Sequence, residues 1–386
     1  MILSYHINSD GIFVSNGKHQ SEPPYIDFLL SQGQGKLNVC YHLDYNVSCL
    51  LVLLKFTEEQ LIELYNTSEL RVHGYFFKYI PKKFLSIAHK DKFAVFSDAS
   101  QYMERWDVKY GTPQEKCKEA LEIAQGVYDS LRNLGVFPKT LVSPISAFDK
   151  QYLDKIDLPT LADIPLEASD YAYKCTRGPW VEAYQRGRFE NVRDWDLTSA
   201  YPSMLAKLID PRLGEWVKDD KWHDDAYYGY VYGEISVTSN FTPIQYSRKR
   251  NSSPHGIWVD YFDKKEIDFL RYRKRGEFEL IDGWWFHPTK LYYPLRPIIL
   301  WLFDKKEKAT GMERTIVKRI MSGIWGRLLQ VDFDGTPGER FFSVWGQEVE
   351  CGVRIKVADF VIDNELEDYL ICITVDGILE NKPNEA

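Results

Sequence analysis

The sequence lacks any long hydrophobic run: no apolar stretch reaches the ~18 residues that a membrane-spanning helix needs. Met1 opens no basic-then-apolar leader, and polar residues arrive by Ser4. A soluble, cytoplasmic protein with no membrane partner is therefore expected. Cysteine is sparse. The six (Cys40, Cys49, Cys117, Cys175, Cys351, Cys372) are scattered without C-x-x-C or Cys/His spacing, so neither a disulfide framework nor a thiolate zinc site is read from them. Reduced core thiols are the expectation. There is no internal repeat and no low-complexity segment. Excess positive charge is also missing. The formal net charge of −8 speaks against a uniformly basic surface, although a local basic track for a polyanion remains compatible with it.

What is present is length and aromatic content. The 386 residues suffice for two or three domains, and aromatics make up 15% of them, which suits both packed cores and base stacking. One stretch organises the chain: Asp194-Trp195-Asp196-Leu197-Thr198-Ser199-Ala200-Tyr201-Pro202-Ser203. Phe189, Val192 and Trp195 are the apolar positions of a strand leading into it. Pro202 then fits the opening of a helix. A carboxylate at a strand end, followed by a helix N-terminus, can hold a divalent cation beside a phosphate. The bland alternative is an N-cap aspartate in a strand–turn–helix unit.

Two downstream strings make the pattern more specific. Lys318-Arg319-Ile320-Met321-Ser322-Gly323-Ile324-Trp325-Gly326 places a cation, an aromatic and a glycine at fixed spacing, and Cys372-Ile373-Thr374-Val375-Asp376-Gly377 ends on a second aspartate. Together the three resemble the palm motifs of the B-family DNA polymerases, in particular the protein-primed group. The first family motif is an aspartate, two residues, then S-L-Y-P-S; Asp196, Ser199, Tyr201, Pro202 and Ser203 match it, with Ala200 for the leucine. In the second, K-x-x-x-N-S-x-Y-G, Ser322-Gly323 replace N-S. In the third, Y-x-D-T-D-S, Thr374 replaces the first aspartate and Asp376 keeps the second.

The resemblance implies a mixed α/β (α+β) fold, an RNase H-like exonuclease-type N-terminal domain followed by a polymerase palm with helical fingers. The expected divisions are an exonuclease-like domain over 1–135, a connector over 136–188, palm over 189–290, fingers over 291–330 and a returning palm segment over 331–386. Asp196 and Asp376 are then the catalytic carboxylates, holding two Mg²⁺ ions (Mn²⁺ able to substitute) with the carbonyl of Leu197. The amides of Ser199 and Ala200 hold phosphate oxygens of the incoming deoxynucleotide, and Tyr201 packs under its sugar. Lys306, Arg314 and Lys318 bind the triphosphate, while Trp325 and Gly326 form the platform under the new base pair. Thr176-Arg177-Gly178-Pro179-Trp180 resembles the segment that touches the template strand, so Arg177 and Gly178 are DNA-contact candidates. Primer–template DNA and a deoxynucleotide are the implied partners.

Taken in order, Ile2–Tyr5 and Gly11–Val14 read as strands about an Asn-Ser-Asp-Gly turn. Leu37–Tyr41, Gly74–Ile80 and Lys92–Phe96 read as further strands, Glu58–Tyr65 as a helix. Residues 113–134 form a convincing amphipathic helix with Ala120, Ile123, Ala124, Val127, Leu131 and Leu134 on one side. Arg248, Lys249 and Arg250 make a basic knot in a loop. Residues 297–308 and 314–329 read as two helices separated by Gly311, and 348–364 as another helix containing Arg354. Asp376-Gly377 reads as a hairpin turn.

Within 1–135 the acids of an exonuclease are missing. The family's first motif, D-x-E, is expected to lie before the chain begins. Its second falls on His42-Leu43-Asp44-Tyr45-Asn46, with Asn46 where the metal-binding aspartate belongs. Its third falls near Lys116 and Cys117, where Glu115 and Glu119 point to other faces. An amide cannot replace a carboxylate on a hard cation without losing charge. Exonuclease activity is therefore not expected, and Asp44 and Asp98 read as structural. The family's thumb is also expected to be absent, which brings in a second polypeptide supplying it, or a terminal protein primer, as further partners. The alternative reading is a catalytically silent or truncated polymerase-like module that binds nucleic acid or a replication partner.

Overall fold

The computed structural model describes residues 1–102, 111–246, 253–332 and 335–383. The Arg248–Arg250 knot lies outside them. The chain divides into two compact units, one of residues 1–155 with 305–320, the other of 156–304 with 321–386.

The first unit is built on an eight-stranded sheet. Its order is His19–Gln20, Gly11–Val14, Ile2–Asn8, Leu37–Cys40, Lys92–Asp98, Phe84–His89, Tyr75–Ile80, Glu69–Val72. The three central strands are parallel, with Ile2 opposite Leu37 and Asn38 opposite Phe96. Antiparallel hairpins flank them. Parallel centres need both faces covered. Helices Tyr25–Gly33, Leu43–Leu53 and Pro113–Asn133 pack on the sheet. The last begins with a capping box: Thr112 accepts from the Glu115 N–H, and the Glu115 carboxylate accepts from the Thr112 N–H. Its buried face is Ala120, Ala124, Val127 and Leu131. The strand Phe84–His89 and helices Tyr25–Gly33, Pro144–Tyr152 and Leu166–Cys175 were not read from the sequence.

Residues 305–320 complete this unit. The Arg319 guanidinium donates to the Gln101 carbonyl and lies 5.2 Å from the Tyr102 ring centre, and Met312 packs beside Gly126.

The second unit has two antiparallel four-stranded sheets. One runs Arg193–Asp196, Gly377–Glu380, Leu370–Thr374, Val181–Ala183; the other runs Gly214–Asp219, Gly276–Pro288, Tyr228–Val237, Gly256–Asp263. A mostly buried helix, Ser343–Asp363, lies at its centre. Val357, Ala358 and Val361 on that helix share a core with Trp180, Phe241, Leu370, Ile373 and Ile378. Gly352 permits close packing, because a Cβ there would lie 2.7 Å from Sδ of Met204 on helix Ala200–Leu205.

Buried charges tie this unit together. Arg354 donates to Glu266 at 2.7 Å and to the Gly178 carbonyl at 3.2 Å. Glu350 accepts the Gly178 N–H at 3.0 Å. Glu348 accepts from Tyr230 Oη at 3.0 Å and pairs with Lys265. Fully buried ions persist only when paired and hydrogen-bonded in this way.

All six cysteines are free thiols. Among the described residues, no helix is long and apolar enough to cross a membrane.

Candidate active site

The edge strand Arg193–Asp196 pairs antiparallel with Gly377–Glu380, setting Asp196 opposite Gly377. The N–H of Leu197 donates to the Asp376 carbonyl at 3.0 Å. Two aspartates 180 residues apart in sequence thus line one cleft, with Trp195, Leu197, Val357, Phe360 and Ile378 as its apolar walls. The strand before Asp196 is shorter and more exposed than its apolar positions suggested. It starts at Arg193, and Trp195 is 44% exposed. As an edge strand it is anchored from one side: Arg193 and the Trp195 indole N–H both donate to Glu380. Burial alone would raise the Glu380 pKa, but these donors and the Lys382 N–H hold it below its ordinary 4.5.

Asp376 sits in a two-residue hairpin loop after Val375. Val375 has φ +68°, a left-handed conformation that costs a β-branched residue about 1–3 kcal/mol. Its N–H donates to the Trp180 carbonyl at 2.7 Å, which holds the loop in that shape.

After Asp196, Ser199 adopts φ +53° and opens the short helix Ala200–Leu205. One correction follows. The Ala200 N–H donates to the Leu197 carbonyl at 3.2 Å, so it is not an open phosphate donor here. The Leu197 carbonyl retains a second lone pair. The Tyr201 ring packs on Trp325 at 4.4 Å between centroids, so the sugar-facing and base-platform candidates are in contact. Burial, then Glu350 and Asp376, raise the Tyr201 pKa, so it stays a neutral phenol at neutral pH. A Cβ on Gly326 would meet nothing within 4 Å, so the fold itself does not require glycine there.

Helices Arg296–Lys308 and Gly311–Leu328 carry Lys306, Arg314 and Lys318, all three within the 305–320 piece of the first unit. The Arg314 guanidinium donates to the Lys306 carbonyl at 3.1 Å, and Arg314 and Lys318 are both exposed one turn apart.

Arg177 requires a second correction. It is 6% exposed, and its guanidinium is bonded to the carbonyls of Gln245, Lys174 and Tyr261 and to Asp260. In this structure it braces the protein interior and is not presented to a phosphate. Gly178 does match a backbone that needs glycine, with φ +85° and open space beside it. Its N–H and carbonyl are held by Glu350 and Arg354, two residues no motif pointed to. Lys356 was missed as well. It donates to Ser203 Oγ at 3.0 Å, and burial followed by repulsion from Lys207 lowers its pKa.

In the first unit, Asn46 lies beside the strand Ile2–Asn8. That strand bears Ser4 and His6 but no carboxylate. Asn46 is fully buried. Its Oδ1 accepts the Ile7 N–H at 2.7 Å, and its Nδ2 donates to the carbonyls of Tyr41 (2.7 Å) and His42 (2.9 Å). Asp44 accepts from Tyr79 and the Lys82 N–H, and Asp98 from Leu43 and Ser100, as structural acids do. Burial raises the Asp98 pKa even so.

These sheets and helices make a mixed α/β fold that solved structures share. No protein-family model and no curated protein sequence matches the chain. Solved structures do. Phi29 DNA polymerase complexed with primer-template DNA and incoming nucleotide shares the fold at a TM-score of 0.64 and 13% identity, over 100% of this chain and 80% of that one. The same polymerase with primer-template DNA in a post-translocation complex gives 0.64 at 14% identity and the same coverage, and with single-stranded DNA 0.63 at 13%.

Proposed function

We propose that this chain is a template-directed DNA polymerase core that joins deoxynucleotides to a primer 3′-hydroxyl. The observation that carries the reading is the strand pairing that sets Asp196 and Asp376 in one cleft. Two exposed or half-buried carboxylates beside a carbonyl with a spare lone pair form a hard-oxygen donor set, which suits Mg²⁺ or Mn²⁺. Asp196, Asp376 and the Leu197 carbonyl would hold the ions. When bound, a metal pair lowers the pKa of the attacking hydroxyl and neutralises triphosphate charge.

The chain's own residues supply binding and shape. Tyr201, braced by Trp325, closes the space where a 2′-hydroxyl would sit. Trp325 gives stacking area for the nascent pair, and the bare backbone of Gly326 lets it approach. Lys306, Arg314 and Lys318 neutralise the triphosphate and the departing pyrophosphate. Primer–template DNA and a deoxynucleotide are the partners. The exonuclease-type region is inactive on this reading, because Asn46 and the acid-free Ile2–Asn8 strand offer no carboxylate pair for metals.

The test is single-nucleotide primer extension by the purified chain with Mg²⁺ or Mn²⁺, with Asp196→Asn as control. Extension lost in the variant is the expected result. Absence of extension in a chain that still binds primer–template would overturn it in favour of a silent binding module.

A further inference from the structure

We propose that His223, Asp225 and His287 form a site for a borderline divalent cation, with Zn²⁺ the fitting ion. The site belongs to the sheet containing Gly276–Pro288, not to the sheet of the paired aspartates, and it is independent of the polymerase reading. His223 and Asp225 lie in the loop between strands Gly214–Asp219 and Tyr228–Val237, and His287 is near the end of strand Gly276–Pro288.

Nδ1 of His223 and Nε2 of His287 face each other at 2.9 Å. The opposite nitrogen of His223, Nε2, is 3.1 Å from the Asp219 carboxylate. That carboxylate takes the Nε2–H and so leaves the Nδ1 lone pair aimed at His287, which is how outer carboxylates orient metal-binding imidazoles. The His223 ring plane is fixed as well, stacked 4° from parallel on Trp285 with centroids 5.1 Å apart. Asp225 Oδ2 stands 3.5 Å from Nδ1 of His287, the ring nitrogen opposite the one that faces His223, and one ligand atom from each of the three residues lies within 4.8 Å of the others, so Asp225 must swing on its loop to reach an ion between the rings.

A single shared proton can join the two facing nitrogens as a hydrogen bond, so a metal must compete with that proton. A cation in its place uses both lone pairs. Tetrahedral Zn²⁺ with bonds of about 2.0–2.1 Å sets its nitrogens roughly 3.3–3.4 Å apart, so the rings need to part by about half an ångström. Asp225, 84% exposed on its loop, can complete a third ligand, and water fills the fourth position. Two imidazoles and one carboxylate suit Zn²⁺ and not Mg²⁺ or Ca²⁺. The bound ion would staple the loop to the strand.

The chelator-treated full-length chain would be titrated with Zn²⁺ against a chromogenic chelator at neutral pH, and separately with Co²⁺. The expected result is one tight equivalent, unaffected by excess Mg²⁺. Bound Co²⁺ should show the intense visible bands of a four-coordinate site without thiolate charge transfer, which separates it from metal on the cysteines. His287→Ala should abolish uptake, and Asp219→Asn should weaken it about 10–100-fold. No stoichiometric uptake by the native chain, an octahedral or thiolate Co²⁺ spectrum, or unchanged uptake in a folded His287→Ala would overturn the proposal. If His287→Ala does not fold, the native Co²⁺ spectrum alone decides.

Discussion

An amide fits position 46 where a carboxylate would not. Asn46 gives two N–H bonds to carbonyls and receives one backbone N–H. In Asn46→Asp a carboxylate oxygen would face the Tyr41 and His42 carbonyls. We expect a loss of about 1–3 kcal/mol in urea unfolding and no gain of metal-dependent 3′ trimming; equal stability would show that the site relaxes around the charge. Tyr201→Ala removes the ring braced by Trp325, so ribonucleotide incorporation should rise relative to deoxynucleotide, measured by competing the two in extension. Glu380 is the residue whose titration reports on the edge strand. Its folded pKa is depressed, so its contribution is present above its unfolded value and is lost as pH falls through the lower folded value. Glu380→Gln should flatten the acid limb of stability against pH, and an unchanged limb would remove Glu380 from that role. Asp196, Tyr201 and Asp376 stand out in the sequence because each lies in a short local string. The burial of Arg177 was not legible: its string resembled a template-contact segment, but Asp260 and Gln245 arrive from 83 and 68 residues away to enclose it. His223 and His287, 64 residues apart, were silent for the same reason.

Among elements, those governed by local chemistry were readable. Pro113–Asn133 announced itself through Thr112, Pro113, Glu115 and its alanine-rich face. Phe84–His89 did not, because its short alternation becomes a strand only between two neighbours, paired on both sides. Arg193–Asp196 was expected to be apolar and is instead held by Glu380 from the strand beside it. One close contact between elements is that of Ser343–Asp363 with Ala200–Leu205, where Gly352 meets Met204. Gly352→Val should displace Met204 and the helix carrying Tyr201. We expect a loss of about 1–3 kcal/mol, typical of overpacking, together with slower extension. Urea melts and extension rates measured on the same preparation check this, and a variant with native rates would show that the Met204 side chain absorbs the methyl groups.

For the molecule as a whole, buried charge is part of the second unit's architecture. Arg354→Met leaves Glu266 and Glu350 without their shared cation, and such a break costs about 3–5 kcal/mol. Urea unfolding of the variant should show that loss; a near-native midpoint would mean that the acids protonate or rearrange cheaply. The first unit is discontinuous, since its last piece is residues 305–320, where Arg319 reaches Gln101 and Met312 reaches Gly126. On a ribosome, the N-terminal 155 residues therefore emerge well before the segment that completes them. At about 5–20 residues per second, that wait lasts from several seconds to about half a minute. During it, the surface around Gln101, Tyr102 and Gly126 lacks the segment that covers it in the folded protein, and uncovered surface of that kind is what chaperones guard.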